Sequence, residues 1–162
     1  MAVRGEAFEG FVTAASPRLL RLAILLVGDR GAAEDLLQEV LERMYVAWPR
    51  IAEPEAYARQ ALAHRATNRW RHRSRRPEVA LTDEHDVTVP GPEPSQRDSL
   101  LAALAALTDR QRTTVVLRFF EDFTVEQTAA AMNCSVGTVK SQTARALPRL
   151  REMLALPEDS CP

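Results

Sequence analysis

Residues 124–150, TVEQTAAAMNCSVGTVKSQTARALPRL, are the most informative part of the chain about the fold of its carboxy-terminal part. Thr124 and Gln127 fit a Thr-x-x-Gln capping box, which predicts a helix that begins there and runs through the alanines to Met132. Asn133 follows at the position where helices commonly end in a left-handed residue, a conformation that Asn tolerates well. The stretch therefore predicts a helix, a tight turn and a second helix.

The second helix, which Ser135 can cap, has two chemically different faces. Apolar and small side chains at spacings of three and four are predicted to pack inward: Val139, Thr143, Ala146, Leu147 and Leu150. The outward face carries donors and acceptors suited to phosphates and base edges: Thr138, Lys140, Ser141, Gln142 and Arg145. Such a helix suits a DNA major groove, although two short helices joined by a turn also occur in bundles that never bind DNA.

The composition favours an all-α fold made of two small helical domains. The 162 residues are 46% hydrophobic, which is enough for packed cores, and only 6% aromatic. Ala, Leu and Arg are abundant and no convincing alternating Val/Ile/Tyr run is present, so helices are favoured over strands. Capping and stop signals predict further helices over about 6–27, with a bend near Pro17, and over 31–47, 54–73, 99–107 and 109–120.

The charges divide the chain although the formal net charge is only -1. Residues 55–76 contain seven Arg and one acidic residue, whereas residues 77–98 contain six acidic residues, one Arg and four Pro. The second segment is predicted to be a flexible acidic linker. The predicted domains are therefore residues 1–76 and 99–162.

The basic end of the third helix has the composition of a nucleic-acid surface. Aromatic and arginine side chains alternate there, with Arg65, Asn68, Trp70 and Arg71 as the candidate contacts. Bases of a single strand can stack on an aromatic ring while Arg follows the backbone. The competing interpretation is a solvated helix end with Trp70 packed into the core.

Several other classes of function are disfavoured. The apolar run Leu19 to Val27 is too short to span a bilayer, so no membrane insertion is expected. Cys134 and Cys161 form no metal-binding or disulfide pattern and are expected to be free thiols in a reducing cytoplasm. The three histidines lie on the basic helix or in the linker, and no nucleophile or phosphate-binding glycine loop accompanies them. We therefore predict no catalytic residue, no metal and no cofactor.

Taken together, the order of the motifs resembles a bacterial extracytoplasmic-function sigma factor of the sigma-70 family, over nearly the whole chain. The passages that carry the resemblance are Gly28-Asp29, Ala32 to Val40, Trp48-Pro49-Arg50, Asn68-Arg69-Trp70-Arg71 and Val136 to Ser141. Gln142 stands where many members have Arg, a feature similar to the actinobacterial SigE-like subgroup. The chain departs from the family pattern at Asn133, where Gly is commoner, and at Pro148, which is expected to bend the end of the last helix.

The resemblance implies that the first domain is sigma region 2. Its second helix would dock on the β′ clamp of core RNA polymerase through Asp35, Gln38 and Glu39. Its basic helix would recognise and melt the promoter −10 element, with Arg65, Asn68, Trp70 and Arg71 facing the displaced strand.

The same resemblance implies that the second domain is sigma region 4, which would bind the β flap and read the −35 element as duplex through Thr138, Lys140, Ser141, Gln142 and Arg145. The implied factor is cytoplasmic and starts transcription at chosen promoters. The promoter sequence, and whether an anti-sigma factor restrains the protein, stay open.

A second hypothesis is a stand-alone transcriptional regulator that binds operator DNA as a dimer through the same helix-turn-helix. This interpretation would leave the acidic second helix and the Arg/Trp helix without a shared task. No obvious dimerisation stripe remains on the sequence.

Overall fold

The computed structural model describes residues 2–74 and 96–154, and this part of the chain is helical with no strand. The α-helices, in chain order, are α1 (Ala2–Val27), α2 (Arg30–Ala47), α3 (Pro54–Ser74), α4 (Gln96–Ala106), α5 (Asp109–Val115), α6 (Val125–Met132) and α7 (Val136–Leu154). A 3-10 turn at Trp48–Arg50 follows α2, and a π-helical turn at Val116–Phe120 follows α5. The predicted all-α class is confirmed.

Helices α1, α2 and α3 pack against one another to form the amino-terminal domain. Gly28 ends α1 with a φ of 81°, and its N–H donates to the Ile24 carbonyl at 2.7 Å. Asp29 then caps α2, because its carboxylate accepts the Ala32 N–H at 2.8 Å. The predicted end of α1 at Gly28 and the predicted capping of α2 by Asp29 are confirmed.

Helix α1 is longer than predicted, since it begins at Ala2, and it continues through Pro17. The residue four positions earlier, Thr13, is exposed, so water can reach the carbonyl that loses its helical partner to the proline. By length and composition alone, Arg4–Val27 is apolar enough to cross a membrane. Its leucines at 19, 22 and 26 are buried in the core with α2 and α3, so the carboxy-terminal half of α1 packs its apolar side inside the protein.

The carboxy-terminal domain is built from α4 to α7, and two capping boxes set its helix starts. Thr108 accepts the Gln111 N–H at 3.1 Å and Thr124 accepts the Gln127 N–H at 3.0 Å, with both glutamines bonding back. The predicted single helix over 109–120 is wrong in detail, because α5 ends at Val115 and passes into the π-helical turn. Helix α4 begins at Gln96, three residues before the predicted domain boundary. The rest of the predicted linker lies outside the described residues.

Helix α7 runs from Val136 to Leu154 without interruption at Pro148. The proline is exposed, and so is Ala144, whose carbonyl loses its helical partner. Val139, Ala146 and Leu150 are buried, and Thr143 and Leu147 are partly buried, so the predicted inward face is confirmed.

The turn of the helix-turn-helix depends on Asn133, which adopts a left-handed conformation with φ 52° and ψ 51°. We expect Asn133→Ala to destabilise the protein by about 1 to 2 kcal/mol, because a β-carbon without a compensating polar group is strained there. For a chain of this size the loss corresponds to a Tm lower by about 2 to 8 °C. Thermal unfolding followed by circular dichroism measures this shift.

Asn133→Gly is the matched control, since glycine adopts the left-handed region without strain. It should keep a Tm close to that of the unmodified protein. If alanine and glycine at position 133 give the same Tm, backbone strain is not what selects Asn there.

The two domains form one continuous hydrophobic core. Helix α3 packs against α5 and α6, and α1 contacts the π-helical turn. The buried guanidinium of Arg112, on α5, donates to the Leu26 carbonyl at the end of α1 at 2.9 Å. A cation at a helix carboxyl end satisfies a free carbonyl and the partial negative charge there.

Candidate nucleic-acid interface

The outward face of α7 presents the side chains that the sequence predicts for base and phosphate contacts. Lys140, Ser141 and Arg145 are exposed, and Thr138 and Gln142 are partly exposed. Helix α7 packs on α4, α5 and α6 through its opposite side. The five residues therefore belong to one helix that is held from behind, as a groove-reading helix must be.

Two of these five residues also have local roles. The Thr138 N–H donates to the Ser135 hydroxyl at 3.0 Å, and the two hydroxyls lie 2.9 Å apart. The Ser141 hydroxyl donates to the Thr138 carbonyl at 3.1 Å. Because their hydroxyls are engaged in the first turn of the helix, these two side chains shape the start of α7. Lys140, Gln142 and Arg145 are left as the longer side chains that can extend into a groove.

A cleft of about 490 Å³ lies along the basic end of α3. Its walls are mainly polar and positively charged: Glu39, Arg65, Asn68, Arg69, Arg71, His72 and Asn133. Three of the four predicted −10 contacts, Arg65, Asn68 and Arg71, are among them. Asn133 belongs to the helix-turn-helix, so the cleft lies where the two domains meet.

Glu39 faces this cleft, and it bridges two arginines of α3. Its carboxylate accepts from Arg65 at 3.1 Å and from Arg69 at 3.0 Å. Partial burial raises the pKa of Glu39, but the hydrogen bonds and positive charges of Arg65 and Arg69 outweigh that effect and hold the pKa below its usual value. Glu39 thus holds Arg65 and Arg69 in place along the cleft.

The contribution of the Glu39 bridge to the stability of the fold is expected to depend on pH. Because the folded-state pKa of Glu39 lies below its ordinary value of 4.5, the bridge stabilises the fold fully above that value and is lost as the pH falls through the folded-state pKa. Glu39→Gln should therefore cost about 0.5 to 1 kcal/mol at pH 7, the scale of a half-exposed ion pair. The cost should shrink as the pH falls well below 4.5, where Glu39 itself becomes neutral. Urea unfolding of both proteins at several pH values measures it.

Glu42→Gln is a suitable control, since Glu42 is an exposed carboxylate one turn further along α2 that accepts a side-chain amide from Gln38, at 3.3 Å. A difference between Glu39→Gln and the unmodified protein that stays constant with pH would contradict the bridge.

Trp70 does not face outward in this conformation, contrary to the sequence-based prediction. Its side chain is 6% exposed and belongs to the hydrophobic core. Trp70 follows the buried residues Ala66 and Thr67 at helical spacing, so its position on α3 turns it toward the interior. The competing interpretation of the sequence, a tryptophan packed into the core, describes this conformation.

Arg71 also bonds to another part of the chain, the end of α6. Its guanidinium donates to the Met132 carbonyl at 2.8 Å and to the Asn133 carbonyl at 3.3 Å. Arg65 pairs with Glu39, whereas Asn68 is exposed. Of the four predicted −10 contacts, Asn68 alone is exposed in this arrangement, whereas Arg65 and Arg71 are partly buried.

Two of the three residues predicted to dock on the polymerase, all on α2, are exposed to solvent. Asp35 and Gln38 are exposed, and Gln38 donates to Glu42 one turn later. Glu39 turns toward α3 instead. The exposed acidic part of α2 therefore centres on Asp35, and Glu39 contributes to the cleft.

Several residues that join the domains carry no local sequence signal. Arg59 pairs with Glu121 at 3.0 Å, Arg112 bonds to α1, and Arg110 lies over the Trp70 ring. These partners are separated by 40 or more positions along the chain, and no local pattern pairs them. Arg69 was not among the predicted contacts, although it lies in the motif Asn68-Arg69-Trp70-Arg71. It lines the same cleft as Arg65 and Arg71, which were predicted.

Cys134 lies in the turn of the helix-turn-helix as a free, partly buried thiol. Burial raises the pKa of the Cys134 thiol, although the positive charges of Arg71 and Arg110 act in the opposite direction. Cys161 lies outside the described residues. Within the described part of the chain, no group of three or more His, Cys, Asp or Glu residues could hold a metal ion.

Two protein-family models match the chain. Residues 11–76 match sigma-70 region 2, and residues 97–150 match region 4 of sigma-70. The first match covers most of α1 and all of α2 and α3. The second begins one residue into α4 and ends at residue 150 in α7, so it includes α6, the turn and most of α7.

Individual relatives extend over most of the chain. The RNA polymerase sigma-E factor of Streptomyces avermitilis is 41% identical over 152 residues, which is 91% of this chain and 84% of that protein. The sigma-E factor of Streptomyces coelicolor is 38% identical over 157 residues, covering 91% of this chain and 85% of that protein. Among solved structures, the sigma factor RpoE of Bartonella quintana, in complex with the anti-sigma factor NepR, superposes with a TM-score of 0.70 at 27% identity. That superposition covers 93% of this chain and 98% of the RpoE chain.

Proposed function

Since the chain belongs to the sigma-70 family of RNA polymerase sigma factors, in its extracytoplasmic-function group, we infer that it is a promoter-directing subunit. It binds core RNA polymerase and starts transcription at promoters that it recognises through −10 and −35 elements. The observation that carries this conclusion is the presence of both sigma regions, in order, on the two helical domains.

We propose the following division of labour among the residues. Asp35 and Gln38, exposed on α2, dock on the β′ clamp, and Glu39 holds Arg65 and Arg69 toward the promoter. Arg65, Asn68 and Arg71, which line the cleft, form the surface that reads the melted −10 strand, and the buried Trp70 packs behind them. The duplex −35 element is read by α7, where Lys140 anchors phosphates and Gln142 and Arg145 reach base edges, while Thr138 and Ser141 shape the helix start. Region 4 also contacts the β flap.

The stand-alone dimeric regulator has no support. That hypothesis needs only a helix-turn-helix, whereas the match over residues 11–76 gives α1, α2 and α3 a role of their own. Arg69 and Glu39 also join α2 to α3, as expected for one working domain.

The family assignment supports three further proposals. We expect no catalytic activity, because sigma factors act by binding and positioning the polymerase. We propose that the protein is cytoplasmic, because core RNA polymerase and the chromosome, on which it acts, are there. We also propose that an anti-sigma factor can hold this chain, since RpoE from the NepR complex superposes on both domains together.

Association with core RNA polymerase tests the proposed function. Purified protein should co-elute with core polymerase in size-exclusion chromatography at one copy per polymerase and should elute as a monomer when alone. A dimeric regulator would instead elute as a dimer, ignore the polymerase and bind a palindromic duplex unaided. Failure to associate with core, by a protein of normal helicity, would refute the sigma-factor function.

A further inference from the structure

The guanidinium of Arg149 joins α7 to the turn between α4 and α5. Its Nη1 donates to the side-chain oxygen of Gln111 at 3.1 Å, and its Nη2 donates to the Ala106 backbone carbonyl at 3.1 Å. The two acceptors precede Arg149 by 38 and 43 positions and lie on two different helices. A planar guanidinium can make both bonds at once because its N–H groups form a fixed fork.

Both acceptors of Arg149 are held by the fold. Ala106 is the last residue of α4, where backbone carbonyls have no partner in a following turn of the helix. Gln111 is 8% exposed, and the oxygen that accepts from Arg149 also accepts the Thr108 N–H at 3.3 Å in the capping box of α5. The bridge therefore ends on a helix terminus and on a buried capping residue, which fix its position.

The bridge lies directly after the proline of α7. Pro148 has no N–H to donate to the Ala144 carbonyl, and prolines are a common cause of helix bends. Ala146 and Leu150 pack in the core on either side of the proline. Arg149 adds a polar contact at the same level, so α7 is held to the domain where its own hydrogen bonding is interrupted.

Arg149 follows Arg145 by one turn on the same side of α7. Residues four positions apart are neighbours on a helix surface, and two arginines so placed repel each other. The bonds to α4 and α5 fix where the charge of Arg149 lies. The repulsion then favours conformations in which Arg145, which is exposed, extends away from the α4–α5 turn. Gln142 is roughly two turns from Arg149, beyond that influence.

We propose that Arg149 is a positioning residue for reading of the −35 element. Its bridge to Ala106 and Gln111 fixes the last turns of α7 and, through them, the placement of Arg145 against the duplex. Arg149 itself contacts no base in this role. The proposal rests on the proposed −35 function of α7, and it adds a residue that acts through Arg145.

A double-mutant cycle between Arg149 and Arg145 tests this role. Arg149→Ala should lower discrimination at the −35 base pairs that Arg145 contacts by about 3- to 10-fold, the scale of one hydrogen bond. The double alanine variant should discriminate no worse than Arg145→Ala alone, because Arg149 acts through Arg145. Transcription by saturating holoenzyme across single-base −35 variants measures each ratio. Losses that multiply in the double variant would overturn the proposal.

Arg149→Lys separates the bridge from the charge. A lysine keeps the positive charge, but its ammonium lacks the planar fork that spans two acceptors. It should recover only a small part of the discrimination that Arg149→Ala loses. If Arg149 instead bound a backbone phosphate, Arg149→Ala would weaken transcription on all −35 sequences alike and lysine would restore it. That pattern would overturn the positioning role, and so would a lower Tm with unchanged ratios among the −35 variants.

Arg151→Ala is the matched control, since it removes the same charge from α7 two residues further on. It should leave the −35 preference unchanged. The base pairs that Gln142 contacts provide an internal control, because their preference should also stay unchanged in Arg149→Ala. Equal losses in Arg149→Ala and Arg151→Ala would assign the effect to the charge of the helix end and would overturn the bridge as its cause.

Hydrogen–deuterium exchange in the free protein separates this proposal from the proposed function. The amides of α7 after Pro148 should exchange several-fold faster in Arg149→Ala than in the unmodified protein or in Arg151→Ala. If exchange responds in this way but the unmodified holoenzyme shows no −35 preference, the proposed −35 function of α7 fails, and the positioning role with it, while the bridge itself is established. If the unmodified holoenzyme shows a clear −35 preference that Arg149→Ala leaves unchanged, the positioning role alone fails.

Discussion

Asp35→Arg is expected to weaken binding to core RNA polymerase by about a hundredfold or more. Asp35 is an exposed carboxylate on α2, on the face that we assign to the β′ clamp. A charge reversal there places like charges against each other in the complex, which costs several kcal/mol, and each 1.4 kcal/mol corresponds to about a tenfold change in Kd. Fluorescence anisotropy of labelled protein titrated with core polymerase measures the change.

Glu9→Arg provides the control, because it makes the same charge reversal at an exposed position of α1 in the same domain. It should keep a nearly unchanged Kd. Circular dichroism should show normal helicity for both variants, since neither side chain is buried. An Asp35→Arg protein that binds core as tightly as the Glu9→Arg protein would remove α2 from the docking surface.

Gln142→Ala and Arg145→Ala are expected to lower discrimination among −35 sequences by about 5- to 150-fold each. A side chain that contacts a base edge supplies about 1 to 3 kcal/mol of discrimination. The effect should appear as flatter transcription across a panel of single-base −35 variants, with holoenzyme concentration held constant. Each substitution should relax the base preference at the one or two −35 base pairs that its side chain contacts. The base preference at the other −35 positions should stay unchanged.

Lys140→Ala is the matched comparison on the same exposed face of α7. A lysine on phosphate weakens binding to all sequences alike and reduces the salt dependence of binding. If all three substitutions lower transcription equally on every −35 variant, Gln142 and Arg145 position the helix and do not read bases.

The local features of the fold could be predicted from sequence because short-range chemistry determines them. The Thr108 and Thr124 capping boxes and the left-handed Asn133 each depend on fewer than five consecutive residues. The continuity of α1 and α7 through their prolines could not be predicted in the same way. It depends on which side of each helix faces water, and tertiary packing decides that.

The candidate site was predicted in outline, but its internal pairing was not. The spacing on α7 identified the outward face, and the arginines of α3 indicated a basic surface there, although Trp70, predicted on that surface, is buried. Nothing in the order of residues indicates that Glu39 turns from the docking face to Arg65 and Arg69, or that Arg71 meets the end of α6. Such contacts join positions 26 to 61 apart and follow only from the packing of whole helices.

Transcription from fragmented genomic DNA by core RNA polymerase, with and without the purified protein, tests the central claim most directly. Sequencing of the RNA 5′ ends should reveal new start sites only when the protein is present. Those sites should share two upstream motifs, near −10 and −35, at a nearly fixed separation, and Asp35→Arg should abolish them. An unchanged set of 5′ ends, with a protein that is folded and present in excess over core, would contradict the assignment of this chain as a promoter-directing sigma factor.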